Sequence, residues 1–567
     1  MTALVSWCFR RAAVVVVLWL VALGGLGAAA LPTGAAFRDT VDLPAADSTA
    51  AANLLRAAGA GGAGERVVVR SEEGPVDSGT GRARLAALAA RLAALPHVVS
   101  VGPPPGEVSA DRRTAVLTVR FDASAAELGQ GTADALAAVV RDAGGLTAGA
   151  SGELAAMTAA APDLGHAGIG LLAAAVVLLV AFGSVTCVLL PVLTAAVSVS
   201  CALAAVTLLS HVMTVPKIST EIAALLGLGV GVDYALFVLT RYRQGRAEGA
   251  EPAAALAVAA ATSGRSVVFA GVTVCVSLAG LLTVGLPFLT GIAVVAAVSV
   301  LLTAFAALTL LPALLRPVAR RMSPRPDGGG GRWARLARSV TARPGPYTLA
   351  AVLVVAVLAL PMTGLRLGVP DAALDPPGSV TRTAAELLEA GFGPGADAPL
   401  LVTGTGDASV GQLREALLAS ADVGPPTALP GGAWLLTVLP RTAPGDPATG
   451  ELLASTRAMA RIIGSPDAHV GGVVAARADL SAAITARLPL FLAAVVGISV
   501  LLLAWVFRSV LIPLTAAVMN LLTAAATTGA VVFAFGAPIE PYLPVFLFAG
   551  LFGLSMDYEV FLIARIQ

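Results

Sequence analysis

The chain is 567 residues long, with 57% hydrophobic residues, 13% charged residues and a net charge of +1; its mean hydropathy is +0.86. A soluble globular chain carries about 25% charged residues, so an ordinary water-exposed enzyme is excluded, and the hydrophobicity equally excludes a disordered chain. The near-neutral charge argues against nucleic acid as a partner, since phosphate binding needs a basic excess, and the composition is that of an integral membrane protein.

A spanning helix needs about 20 consecutive, mostly apolar residues. The first such run, 12–31, stands behind Arg10 and Arg11 and reads as an anchor that completes a first span at 1–31 rather than as a cleaved leader. A hydrophilic stretch occupies 32–166. Five apolar runs then crowd 167–315, near 167–185, 189–209, 222–242, 266–286 and 291–311. A basic linker at 316–346 carries Arg316, Arg320, Arg321, Arg325, Arg332, Arg335, Arg338 and Arg343. The order then repeats, with a span at 347–367, a hydrophilic stretch at 368–487, and three spans within 488–567 near 488–507, 511–533 and 542–563. Ten spans are expected. Arginine in short loops marks the cytoplasmic side, and under alternating topology Arg10, Arg11, the loop at 241–246 and the linker share one side. The expected protein is therefore a multi-pass protein of a bacterial plasma membrane, its amino terminus cytoplasmic and both hydrophilic stretches outside.

The two outer stretches read alike. In the first, helices are expected at 48–58, 82–95 and 125–141, with strands at 67–70, 98–101 and 115–121. In the second, helices are expected at 382–390, 409–420 and 451–463, with strands at 400–403, 434–439 and 469–473. Both patterns suggest the βαββαβ, ferredoxin-like split. The fold class is thus a polytopic α-helical membrane protein with two extracytoplasmic α+β porter domains. Asn53-Leu54-Leu55 corresponds to Glu386-Leu387-Leu388, and Val67-Val68-Val69 to Leu400-Leu401-Val402. Within the spans, Phe182-Gly183-Ser184 matches Phe507-Arg508-Ser509, and Leu193 to Val197 matches Leu514 to Val518. The segment from Gly229 to Tyr234 matches Gly553 to Tyr558. Internal repeats related by a pseudo-two-fold axis are a transporter signature.

Several chemistries are absent from the residues. Cys8, Cys187, Cys201 and Cys275 lie in or beside apolar runs and build neither a disulfide framework nor a CxxC metal site. Lys217 is the only lysine and follows Val215-Pro216, so no Walker A loop exists. His97, His166, His211 and His469 form no HExxH pair, and no GxSxG elbow occurs. Neither an enzyme, a metal nor an organic cofactor is expected; the coupling species would be the proton.

Asp233 and Asp557 stand inside apolar helices, where an Asp costs about 2.5–3.5 kcal/mol on insertion scales. Such residues face a bundle interior and mark ion or proton routes, or else serve as interhelical hydrogen-bonding glue. Their occurrence at matching repeat positions, each followed by Tyr, favours function. Gly229 and Gly553 each lie four residues earlier on the same helix face, where a missing side chain would let another helix close in. Gly227 and Gly231 form a small-xxx-small pair, as do Ala549 and Gly553. Tyr234 points about 100° away from Asp233 around the helix; across a two-fold contact Tyr234 would meet Asp557, and Tyr558 would meet Asp233. Two facing carboxyls resist being charged together, so protonation would change how the two helices pack, driven by ~2.3 kcal/mol per proton per 100 mV.

The order of span, outer domain, five spans and repeat resembles the resistance–nodulation–division (RND) superfamily. The segments GLGVGVDYALF at 227–237 and GLSMDYEVFLIARI at 553–566, with the turn Phe507-Arg508-Ser509, resemble its MMPL branch, the mycobacterial-membrane-protein-large family. The resemblance implies a proton-motive-force-driven exporter of lipids or other hydrophobic molecules, with membrane lipids and a hydrophobic substrate as partners and a homo-oligomer left open. It carries an Asp-Tyr proton relay onto Asp233, Tyr234, Asp557 and Tyr558. Thr273, Ser277 and Asn520 are further candidates for a polar path. The family has twelve spans, so the chain is expected to be truncated after the tenth, short by roughly 75–80 residues. A protein-export accessory or lipid-sensing relative, or an inactive fragment, are the competing expectations.

Overall fold

The computed structural model describes all residues except 1, 39–42, 44–45, 61–63, 103–106, 160–171, 173–174, 177, 181–183, 320–331, 369–371, 373–374, 407–409, 464–466, 537 and 567. The amino-terminal part holds α1 (Thr2–Arg10), α2 (Ala12–Thr33), α3 (Asp47–Ala57), β1 (Gly64–Arg70), α4 (Gly79–Ala93), β2 (Val98–Val101), β3 (Thr114–Phe121), α5 (Ala125–Arg141), β4 (Thr147–Ser151) and α6 (Glu153–Ala159). Four long helices follow: α7 (Val185–Leu209), α8 (Ile218–Ala247), α9 (Pro252–Ala279) and α10 (Pro287–Leu315). Then come α11 (Arg332–Ala342), α12 (Pro344–Ala359), α13 (Val380–Phe392), β5 (Leu400–Thr405), α14 (Val410–Leu418), β6 (Asp422–Val423), β7 (Thr427–Leu429), β8 (Ala433–Leu439), α15 (Pro447–Ile462) and β9 (His469–Gly471). The chain closes with α16 (Val473–Phe507), α17 (Leu511–Phe535) and α18 (Tyr542–Ile566).

Among the described residues, eight helices are long and apolar enough to cross a membrane: α2, α7, α8, α9 with its extension to Val284, α10, α12 with its extension to Gly364, α16 and α17. Helix is the form such runs take, because lipid offers the backbone no hydrogen-bond partner. The apolar stretch of α18 runs Tyr542–Met556. Most of the span expected at 167–185, together with the Phe182-Gly183 turn and His166, lies outside the described residues. Several spans begin earlier than expected, α9 at Pro252 rather than 266 among them. Helix α16 begins at Val473 rather than 488, so one unbroken helix runs from the second sheet into the span. The Ala-rich segment before 488 contains no Gly or Pro to stop it.

The first sheet has strand order β2-β3-β1-β4 and the second β6-β8-β5-β9, with the short β7 beside β8. All pairings are antiparallel, with Val67 opposite Leu117 and Leu400 opposite Val438. This is the split βαββαβ order in both cases. The closing strand β4 reads Thr-Ala-Gly-Ala-Ser, which lacks the β-branched, alternating pattern that announces a strand. Helices over the sheets start where a side chain satisfies a free backbone N–H. The Ser379 hydroxyl accepts from Arg382 N at 3.2 Å for α13, and Asp446 Oδ1 from Ala448 N at 2.9 Å for α15.

The first helix of each half packs on the other half's sheet. Helix α3 was expected within the first module, yet it lies on β9 and β5, while α13 lies on β4 and β1. Two glycines make room. A Cβ at Gly149 of β4 would stand 2.2 Å from Ala384 N, and one at Gly471 of β9 would stand 2.9 Å from Ala51 Cβ. Apolar contact follows: Val68 and Val116 of the first sheet share a buried cluster with Ala384, Leu387 and Leu388 of α13. Polar ties cross as well, with Arg66 Nη1 donating to Ala396 O at 2.6 Å and Ser151 Oγ to Asp397 Oδ1 at 2.7 Å. On the other side, Asp47 Oδ1 accepts from His469 Nδ1 at 2.7 Å and Asp47 Oδ2 from Val470 N at 3.0 Å. Arg457 sits between Asp47 and Asp479, at 3.2 and 2.8 Å.

The membrane core is a single large cluster running through α8, α9 and α10 and onto α16 and α18. At the end away from the sheets, Tyr242 Oη donates to Ala319 O at 3.0 Å and the Arg316 guanidinium donates to Arg10 O. At the sheet end, Lys217 Nζ donates to Met157 O at 3.1 Å. The clusters of arginine at 10–11, 241–246 and 316 are therefore gathered at one end of the helices, and the single lysine stands at the other.

Candidate functional site

Helix α8 is held on three sides by α7, α9 and α10, and small residues explain why they come so close. A Cβ at Gly227 would stand 2.5 Å from Ser299 Oγ and 2.7 Å from Val199 Cγ2; one at Gly231 would stand 3.1 Å from Ala195 Cβ. Ser299 Oγ completes the contact by donating to Ala223 O at 2.7 Å. Gly229 differs from the expectation that a second helix closes on it. Nothing lies within 4 Å of its Cβ position, and it borders an open cavity of about 370 Å³ instead.

That cavity is lined by Leu178, Leu225, Leu226, Gly229, Asp233, Leu236, Leu554 and Tyr558. Asp233 is half-buried on α8, and the Tyr558 hydroxyl of α18 donates to its Oδ2. Phe237, one turn beyond Asp233, lies against the Tyr558 ring with centroids 6.4 Å apart. It was not singled out from the sequence, although its i+4 spacing places it on the Asp233 face. The leucines of the lining carried no signal, because they are indistinguishable from any apolar helix position.

The other candidates separate. Tyr234 is buried in the helix bundle, 2% exposed. Asp557 belongs to α18, but its side chain is outside the described residues, as is any contact between it and Tyr234. Gly553 packs on α9, where a Cβ would stand 2.9 Å from Val274 Cα. Ser277 Oγ of α9 donates to Ala549 O of α18 at 2.7 Å. Thr273 Oγ1 is buried and donates to Phe269 O of its own helix at 2.8 Å. Asn520 of α17 is buried, and neither its Nδ2 nor its Oδ1 has a partner among the described residues. Among the described residues, no three His, Cys, Asp or Glu side chains gather as metal ligands would.

The arrangement thus joins α8 and α18 twice over: directly by a carboxylate–phenol hydrogen bond, and through α9 by the Ser277–Ala549 bond. A carboxyl that borders a cavity and shares a hydrogen bond with a phenol on another helix can exchange a proton while altering that interhelical bond.

Comparison with known proteins places the chain among membrane proteins. The MMPL family model matches residues 40–347 and 428–567. The chain is 34% identical over 432 residues to membrane protein YdfJ of Bacillus subtilis, covering 70% of this chain and 59% of that one. It is 32% identical over 598 residues to putative membrane protein SCO6666 of Streptomyces coelicolor, covering 98% of this chain and 83% of that one. It is 30% identical over 431 residues to the mycolic acid-containing lipids exporter MmpL11 of Mycolicibacterium smegmatis, covering 69% of this chain and 45% of that one. The match thus spans 59% of YdfJ and 45% of MmpL11. With the family model covering most of its length and a relative matched nearly end to end, this multi-pass membrane protein belongs to the MMPL family.

Proposed function

We propose that the chain works in proton-motive-force-driven export of lipids or other hydrophobic small molecules across a bacterial plasma membrane, as a transporter and not as an enzyme. The observation that carries this reading is the Tyr558 hydroxyl donating to the Asp233 carboxylate across α8 and α18, beside a cavity. Asp233, Tyr234, Asp557 and Tyr558 form the relay. Proton gain at Asp233 changes what Tyr558 can bond to, and hence how α18 sits on α8. Ser277 keeps α9 with α18 during that change, and the amide of Asn520, without a partner among the described residues, is suited to hold water on the path. The two sheets are porter domains of a pseudo-two-fold repeat, and α16 carries span movement directly into the second of them. The gathering of Arg10, Tyr242 and Arg316 at one end supports a cytoplasmic amino terminus. A lipid substrate is favoured by the similarity to the Mycolicibacterium relative, named an exporter of mycolic acid-containing lipids.

The test is export into inverted membrane vesicles. Asp233→Asn should abolish gradient-dependent accumulation of substrate, and Tyr558→Phe should lower it while leaving the protein folded. Accumulation that survives unchanged in Asp233→Asn would remove the relay assignment.

A further inference from the structure

The short helix α11 stands just ahead of the span α12, at the end of α12 opposite the sheets. Its carboxy-terminal turn is tied to that span: Ser339 Oγ and Tyr347 Oη are 2.8 Å apart. None of its described side chains is buried. At 100° per residue, Leu336 and Val340 make one row, while Arg335 and Arg338 make another about 150° around the axis. Leu336 is 46% exposed and Val340 37%, so the described residues leave the apolar row open.

The surrounding charge is one-sided. Residues 316–343 contain eight arginines against the single acidic residue Asp327, and no further Asp or Glu occurs until Asp371. A helix with an uncovered apolar row, a basic row opposite and a covalent link to a span has the chemistry of a helix lying in a bilayer interface. There the leucine and valine reach the acyl boundary and the guanidinium groups meet headgroup phosphates.

We infer that α11 is a docking surface for anionic phospholipid headgroups of the leaflet at its end of the spans. The inference rests on α12 crossing the bilayer and is independent of the proton relay and of the transported substrate. Docking would hold the start of α12 at a set depth through the Ser339–Tyr347 contact.

The test uses the full chain in nanodiscs, so that both leaflets are open to solvent and no transport is required. A cysteine introduced as Ala337→Cys, beside the apolar row, carries an environment-sensitive NBD label; the four native cysteines are buried or half-buried, and the labelled parent serves as blank. The emission should shift to the blue when phosphatidylglycerol is added to phosphatidylcholine discs, and high salt should reverse the shift. Arg335→Gln with Arg338→Gln should raise the phosphatidylglycerol needed by roughly fivefold per arginine, or roughly 30-fold for the pair. Arg335→Lys with Arg338→Lys should respond like the parent, separating charge from misfolding. Emission indifferent to phosphatidylglycerol, whether always blue or always red, would overturn the proposal, as would a parent-like response from the glutamine pair. A shift seen only when two chains share a disc would assign the face to a second copy and overturn it as well.

Discussion

Asp47 belongs by sequence to the first half of the chain, yet its carboxylate bonds His469, Val470 and Arg457 of the second half. Asp47→Ala removes a hydrogen bond from His469, another from Val470 N in β9, and one side of the Arg457 ion pair. Arg457 keeps Asp479 at 2.8 Å, so no charge is left wholly uncompensated. Hydrogen bonds to a charged group contribute about 1.5–3 kcal/mol each. The partial exposure of His469, 30% at the side chain, argues for the lower part of that range, so the loss should be about 3 kcal/mol for the two bonds. For a unit of about 150–250 residues this lowers the melting temperature by roughly 6–12 °C. Trp434 of β8, 1% exposed, reports the second sheet, with Trp434→Phe protein as the blank. If α3 stood on its own sheet, Asp47→Ala would leave the Trp434 transition in place. A shift below about 2 °C, less than 1 kcal/mol at this size, would refute the exchange of helices between sheets. His469→Ala added to Asp47→Ala should cost little more, since the two share one contact and are not additive.

Gly149→Val should prevent α13 from seating, because its Cβ would meet backbone at Ala384; protease sensitivity near α13 should rise, while Gly64→Ala, with open space around it, should leave it unchanged. Glu65 is buried against the start of α6, accepting from Leu154 N at 2.8 Å and Ala155 N at 3.1 Å, and burial pushes its carboxyl up from 4.5 to about 7. The folded state therefore holds its proton longer than the unfolded state. Stability should fall as pH rises from 4.5 to about 7, by on the order of 3 kcal/mol. Melting at pH values on either side of that window should show this slope, and Glu65→Gln should flatten it; an unchanged slope in the variant would sink the assignment. Ser277→Ala should cost about 0.6–1.7 kcal/mol of detergent stability through the lost bond to Ala549, and Gly553→Leu should cost more, since its side chain meets the Val274 backbone and cannot turn aside.

Much of this protein is legible in its residues because lipid is an exacting solvent. Long apolar runs must become helices, so the spans near 189–209, 291–311 and 511–533 were visible, as was the arginine bias that orders their ends. An Asp in such a run is conspicuous by its insertion cost, which is why Asp233 and Asp557 stood out without a structure. The outer strands at 67–70 and 434–439 were visible through their β-branched and apolar runs, whereas β4, built of small residues, was not. What tertiary structure alone decided are facts of proximity. Local pattern places α3 beside the sheet that follows it, but a small amphipathic helix packs equally well on any complementary apolar face. Gly149 and Gly471 select the distant sheet by leaving room there for Ala384 and Ala51. Likewise the repeat led to the expectation that Tyr558 meets Asp233, and the structure joins them; but that Gly229 opens onto a cavity while Gly227 is sealed against Ser299 depends on how α7, α8, α10 and α18 pack. Periodicity tells which face of a helix is apolar, and only packing tells what that face meets.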